Sequence, residues 1–237
     1  QNIDDKNIIE PKNLKTKTLF YPDEIVSQMD MLAHSLENKN LIETQKRLEK
    51  KGLPKGVAVL LYGAAGTGKT ESVYQLAKKT NRKVYHVDIS EAKSCWFGES
   101  EKRIKRIFTN YRNMCESCMR HKENIPILLF NEADAIISKR KDVGSSNVAQ
   151  TENAIQNIIL EQMETLEGIM IATTNLCNNM DSAFERRFLF KIKFDKPGIN
   201  ERLHIWKNKL PLLTDEEAKL LAGKFDFSGG EIDNIVR

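Results

Sequence analysis

Residues 63–70, Gly-Ala-Ala-Gly-Thr-Gly-Lys-Thr, match the spacing G-x-x-x-x-G-K-[ST], which suits the holding of a polyphosphate. Gly63, Gly66 and Gly68 let backbone N–H groups turn inward around an anion with no Cβ in the way. A helix starting at the loop adds the positive end of its dipole. Lys69 reaches the outer phosphates as a point charge, the Thr70 hydroxyl is a magnesium ligand, and Thr67 and Glu71 complete the loop and its first helical turn. Further on, the apolar run 127–130 ends in Asn131, Glu132, Ala133 and Asp134. Glu132 can polarise a water for attack on a γ-phosphate, which points to ATP hydrolysis with Mg²⁺ and away from transfer to a small acceptor. The Asn175 amide, after the apolar run 169–174, could hold that water or the γ-phosphate. Arg186 and Arg187, well away from the loop, suit a finger donated to a neighbouring subunit's transition state.

Asn131 stands where such enzymes keep an aspartate. Its carbonyl oxygen can still accept a hydrogen bond from metal-bound water, without the charge. The expected loss of metal affinity is less than about tenfold, and an aspartate at 131 would saturate at several-fold lower Mg²⁺.

These residues must be held by strands and helices in alternation. Runs at 57–62, 84–89, 125–130, 169–174 and 188–194 are apolar or alternating and predict strands. Helical periodicity predicts helices after the glycine loop, over about 99–121, and over 151–167. The pattern implies a doubly wound α/β domain with a parallel sheet covered on both faces, over 53–196. Residues 1–18 are polar and lysine-rich, residues 23–51 are mostly helical in pattern, and 1–52 is expected to be an N-terminal arm and helical segment. After Pro197 the pattern is helical to the end, so 197–237 is expected to be a truncated helical lid domain.

Composition narrows the setting. The 237 residues carry 37 basic and 33 acidic side chains, well interspersed, for a net charge of +4, so no nucleic-acid footprint stands out. The run 57–61 is too short to span a bilayer. Four cysteines without framework spacing fit a reducing, cytoplasmic compartment.

The glycine loop, the acidic motif 128–134, the segment Ala-Thr-Thr-Asn at 172–175, the finger segment 181–188 and the segment 225–237 together resemble the AAA family of AAA+ ATPases. The resemblance runs from about Leu53 to Arg237. It implies a P-loop ATPase that binds ATP between the subunits of a ring, usually a hexamer, and moves or remodels a protein substrate through the centre. Residues 95–108 are similar to the family's pore loop, which assigns Trp96 and Phe97 as gripping residues and Gly98 as the joint. Ile205 falls where the family's lid touches adenine, and residues 19–22 could close the other side of the base. Ala64 and Ala65 replace common prolines, and the finger segment lacks the usual Pro-Gly between its arginines, leaving the choice between Arg186 and Arg187 open.

Rival readings attach to several of these residues. Cys115, Cys118 and His121 have a zinc-like spacing, but they share a helical stripe with Ile104, Ile107, Phe108 and Tyr111 and lack a second ligand pair. Two other functions compete with an active ATPase. One is a nucleotide-binding switch with weak hydrolysis because of Asn131, and the other is a DNA-directed AAA+ relative, which the aromatic triplet disfavours.

Overall fold

A computed structural model describes residues 7–89, 100–139, 147–176, 178 and 180–237. Its elements in chain order are β1 (Ile8–Ile9), α1 (Asp23–Ser35), α2 (Asn38–Lys50), β2 (Val57–Gly63), α3 (Lys69–Lys79), β3 (Val84–Asp88), α4 (Ser100–Arg120), β4 (Ile127–Asn131), α5 (Asp134–Ile137), α6 (Asn147–Glu164), β5 (Ile169–Thr174), α7 (Ser182–Glu185), β6 (Phe190–Phe194), α8 (Ile199–Lys209), α9 (Asp215–Lys224) and α10 (Gly229–Val236). The six strands form one sheet in the order β1-β3-β4-β5-β2-β6, with only β1 antiparallel. The fold is thus the α/β class that the alternation predicts. Strand β4 starts two residues later than the apolar run 125–130, after Pro126, which has no N–H to give a ladder. No described helix is long and apolar enough to cross a membrane.

Strands β2, β4 and β5 are buried at nearly every position because helices cover both faces. Their side chains alternate between two cores. Val57, Val59 and Leu61 pack with Ile169 and Ile171 against α1 and α3. Ala58, Leu60, Phe130, Met170 and Ala172 pack against α4 and α6. The arm lies within this arrangement: Ile8 and Ile9 pair with Tyr85 and Val84, and Leu14, Ile25, Leu32 and Leu36 join the first core. Cys115 and Cys118 are buried on α4, and Cys115 belongs to the second core. Burial pushes the Cys115 thiol up to about 11. His121 is exposed, with Nδ1 2.8 Å from the Ser117 carbonyl.

Two buried polar side chains fix the amino ends of the strands. Tyr111 Oη lies 2.8 and 2.9 Å from the carbonyls of Pro126 and Ile169, which share its one proton, and accepts from the Ile169 N–H at 2.7 Å. A Cβ at residue 168 would sit 2.3 Å from that oxygen, so the neighbour of β5 must be Gly168. Arg82, 1% exposed, donates to the Leu36 carbonyl at 2.6 Å, the Ile125 carbonyl at 2.7 Å and Asn38 Oδ1 at 2.9 Å. It clamps the α1–α2 corner to the start of β4.

Arg82→Leu keeps an apolar stem but leaves three acceptors without donors. Chemical denaturation should show a loss of about 2–4 kcal/mol with an unchanged slope. A loss under about 1 kcal/mol would remove Arg82 from this role.

Candidate nucleotide site

Three adjacent strands, β4, β5 and β2, end side by side at their carboxyl edges, and the chemistry-bearing residues follow those ends. This is where an open parallel sheet places a ligand crevice. The glycine loop leaves β2 there. Gly63 has φ +137°, and a Cβ on it would lie 2.1 Å from the Phe194 carbonyl oxygen, so a side chain would push β6 away. Gly66 and Gly68 have φ +70° and +87°, the left-handed region that favours glycine. Gly68 then serves as the N-cap of α3, whose first turn carries Thr70 and Glu71.

Lys69 is 7% exposed, and its ammonium points back into the loop. It donates to the Gly63 carbonyl at 2.9 Å, the Ala64 carbonyl at 2.7 Å and Asn175 Oδ1 at 2.9 Å. These acceptors suit the three N–H donors of an ammonium. Two predicted site residues, Lys69 and Asn175, are therefore in direct contact across β2 and β5.

Behind the loop, Asn131 Oδ1 accepts from Thr70 Oγ1 at 2.6 Å and from Thr173 Oγ1 at 2.9 Å. These two hydroxyls direct the carbonyl end of the amide toward α3. Asn131 Nδ2 then faces Asp88 Oδ2 on β3 at 3.5 Å. Thr70 Oγ1 and Asn131 Oδ1 are neutral oxygen donors standing together at a carboxyl edge. That set is of the kind Mg²⁺ accepts when phosphate oxygens and waters complete the shell, so the residues present fit the metal.

Glu132 adopts φ +53°, a conformation that costs a non-glycine residue energy. The turn is held by its own N–H donating to Thr173 Oγ1 at 3.2 Å and by the Ala133 N–H donating to the Thr173 carbonyl at 2.8 Å. The result is an exposed carboxylate on the cleft wall. Asp134 holds the end of β5: its Oδ1 accepts from Thr174 Oγ1 at 2.6 Å and from the Asn175 N–H at 2.9 Å.

The cleft has a volume of about 420 Å³, and its walls include Gly66 to Glu71, Glu132, Asn175 and Ile205. Two segments close it over the loop. From the C-terminal helices, the Gly230 N–H donates to the Gly66 carbonyl at 2.9 Å, so α10 is docked on the glycine loop. From the arm, Tyr21 Oη lies 3.1 and 3.2 Å from the carbonyls of Thr67 and Gly68 and 2.9 Å from Ser72 Oγ. Burial pushes the Tyr21 phenol well above its usual range. Phe20 stacks on His204 of α8, and Lys17 pairs with Asp233 of α10 at 3.1 Å. The Lys209 hydrogen bond, followed by Lys17, holds the Asp233 carboxyl below the usual range.

The arginines lie elsewhere. The Leu189 N–H bonds the Ala58 carbonyl at 2.8 Å, which puts Arg186 and Arg187 near the start of β2 while the loop follows its end. At about 3.3 Å per residue, the separation along the strand is roughly 15–20 Å. Arg187 is half-buried and turned onto its own chain, toward Glu164 and the Ala183 carbonyl. Arg186 is exposed. Trp96, Phe97 and Gly98 fall outside the described residues.

Sequence reasoning passed over Asp88, gave Thr173 and Asp134 no role within their motifs, and found residues 19–22 without an anchor. The signal for Asp88 was present, since an acid ending an apolar strand beside a second such strand reaches the same edge. For Thr173 and Tyr21 no local signal exists, because their partners are 42 and 46 to 51 residues away.

Comparison with known proteins agrees with this geometry. The profile of the ATPase family associated with various cellular activities (AAA) matches residues 59–196. The chain is 31% identical over 201 residues to Protein CdcH of Halobacterium salinarum, covering 81% of this chain and 26% of that protein. It is 35% identical over 195 residues to the cell division cycle protein 48 homolog of Archaeoglobus fulgidus, covering 78% and 24%. It is 29% identical over 191 residues to the proteasome-activating nucleotidase of Saccharolobus solfataricus, covering 77% and 46%. The chain thus spans from about a quarter to just under half the length of these relatives. A parallel sheet in this strand order and a family match across more than half the residues lead to one conclusion: the chain belongs to the AAA family of ATPases.

Proposed function

We propose that this chain binds ATP with Mg²⁺ in the cleft at the ends of β2, β4 and β5, hydrolyses it, and works as one subunit of a ring that remodels a protein. The observation that carries the catalytic part is the convergence of Lys69, Thr70, Glu132 and Asn175, from different elements, on one cleft. The ring and the protein substrate rest on the family, on a relative named as a proteasome-activating nucleotidase, and on the aromatic triplet Trp96-Phe97-Gly98.

In this reading the glycine loop and Lys69 hold the outer phosphates, and the ammonium exchanges some of its protein acceptors for phosphate oxygens. Thr70 and Asn131 hold the metal and its waters. Bound Mg²⁺ supplies positive charge against the polyphosphate. Glu132 accepts a proton from the attacking water, and its strained turn keeps the carboxylate facing the cleft. Asn175, already on Lys69, senses the γ-phosphate. Residues 18–21 and Ile205 enclose the base and sugar. Arg186 is the arginine that reaches a neighbouring cleft, because Arg187 is committed to Glu164 of its own chain.

Lys69→Ala removes a buried charge from the loop, and ATP affinity should fall by on the order of a hundredfold, as read by calorimetry. Binding within a few-fold of wild type would sink the phosphate-loop assignment. Glu132→Gln should bind ATP within a few-fold of wild type and turn it over about 10²–10⁴ times more slowly. Normal turnover in that variant would take Glu132 out of the reaction. Arg186→Ala and Lys69→Ala should each be inactive alone and regain part of the activity when mixed, since one brings an intact cleft and the other an intact finger. No recovery on mixing would argue against a finger supplied across subunits.

A further inference from the structure

The metal site of this chain has an amide where a carboxylate is expected, yet the charge is close by. Asp88 ends β3, and β3 runs parallel to β4 in a register that sets Asp88 directly beside Asn131. The Asn131 amide oxygen accepts from two hydroxyls, Thr70 Oγ1 at 2.6 Å and Thr173 Oγ1 at 2.9 Å. Its carbonyl end is therefore fixed toward Thr70, and its NH₂ end faces the Asp88 carboxylate at 3.5 Å. Asn131 is 8% exposed, and its amide bridges the half-buried Asp88 carboxylate and the half-buried Thr70 hydroxyl.

We propose that Asp88 is the acidic residue of the metal site, placed one strand over from its usual position and acting through Asn131 as a positioning residue. The carboxylate polarises the amide and lends negative potential to the pocket where Thr70 and Asn131 would hold Mg²⁺ and its waters. This rests on the nucleotide reading above and deepens it. It also changes the expectation for Asn131 taken alone. An aspartate at 131 would stand against Asp88 as a second negative charge. The clean exchange moves the charge instead of adding one.

The test measures ATP binding by calorimetry in Mg²⁺ and in excess EDTA, for wild type, Asp88→Asn and the double exchange Asp88→Asn/Asn131→Asp. Wild type should bind more tightly with Mg²⁺ than with EDTA. A wild type that binds ATP in neither buffer would defeat the nucleotide reading itself, separately from the role of Asp88. Asp88→Asn should lose about fivefold of the Mg²⁺-dependent gain while its affinity in EDTA stays within about twofold of wild type. The double exchange should restore the gain, because an amide at position 88 can donate to a carboxylate at 131 that faces Thr70. An unchanged Mg²⁺ gain in Asp88→Asn would overturn the proposal. So would an equal loss in both buffers, which marks a structural role, or a double exchange no better than Asp88→Asn.

Discussion

The Lys69 ammonium is the constraint around which the rest of the site is built. A buried positive charge must be surrounded by acceptors, and this one draws them from separate places: two from the turning backbone of the glycine loop, one from the end of β5. To bring the Gly63 and Ala64 carbonyls under the ammonium, the loop must pass through backbone conformations that side chains resist, which explains glycine at 66 and 68. To bring Asn175 there, β5 must lie beside β2 in its observed register, Tyr62 opposite Thr174. Charge burial, loop shape and strand order are therefore one requirement expressed at three scales.

The same loop is a meeting point for parts of the chain far apart in sequence. The Thr67 carbonyl is covered by Tyr21 and the Gly66 carbonyl by Gly230 of α10, while the Gly68 carbonyl is held by the Ser72 N–H of α3. A backbone that turns its donors toward an anion has to satisfy its acceptors elsewhere. In this chain residues 17–22 and α10 satisfy two of them, and in doing so they line the cleft. Gly66 allows this contact, since a Cβ there would be 2.7 Å from Ser228 Oγ.

Much of this was legible in the sequence because it is local. The loop spacing, the apolar runs of β2 and β5 and the acid after β4 each announce themselves within a few residues. What was not legible depends on register and on partners distant in the chain. Residues 1–18 gave no period, yet Ile8 and Ile9 form an edge strand on β3, and two residues are too few to show alternation. Thr173 looks like any β-branched strand residue, although its hydroxyl bonds Asn131 and its carbonyl holds the Glu132 turn. Arg187 is turned onto Glu164, a helix residue more than twenty positions away whose proximity no spacing rule gives.

The departure at Asn131 follows from the geometry of parallel sheets. In such a sheet the carboxyl ends of neighbouring strands are level, and residues opposite each other in register approach the same ligand from adjacent positions. Asp88 and Asn131 are such a pair. A site at this edge therefore belongs to a row of residues across strands, and a charge can move one place along the row while the pocket keeps its shape. The hydroxyls of Thr70 and Thr173 are what make the relocated charge usable, because they fix which end of the amide faces the carboxylate. Had they been absent, the amide could rotate and offer its NH₂ group to the metal side, and the site would present a donor where an acceptor is needed.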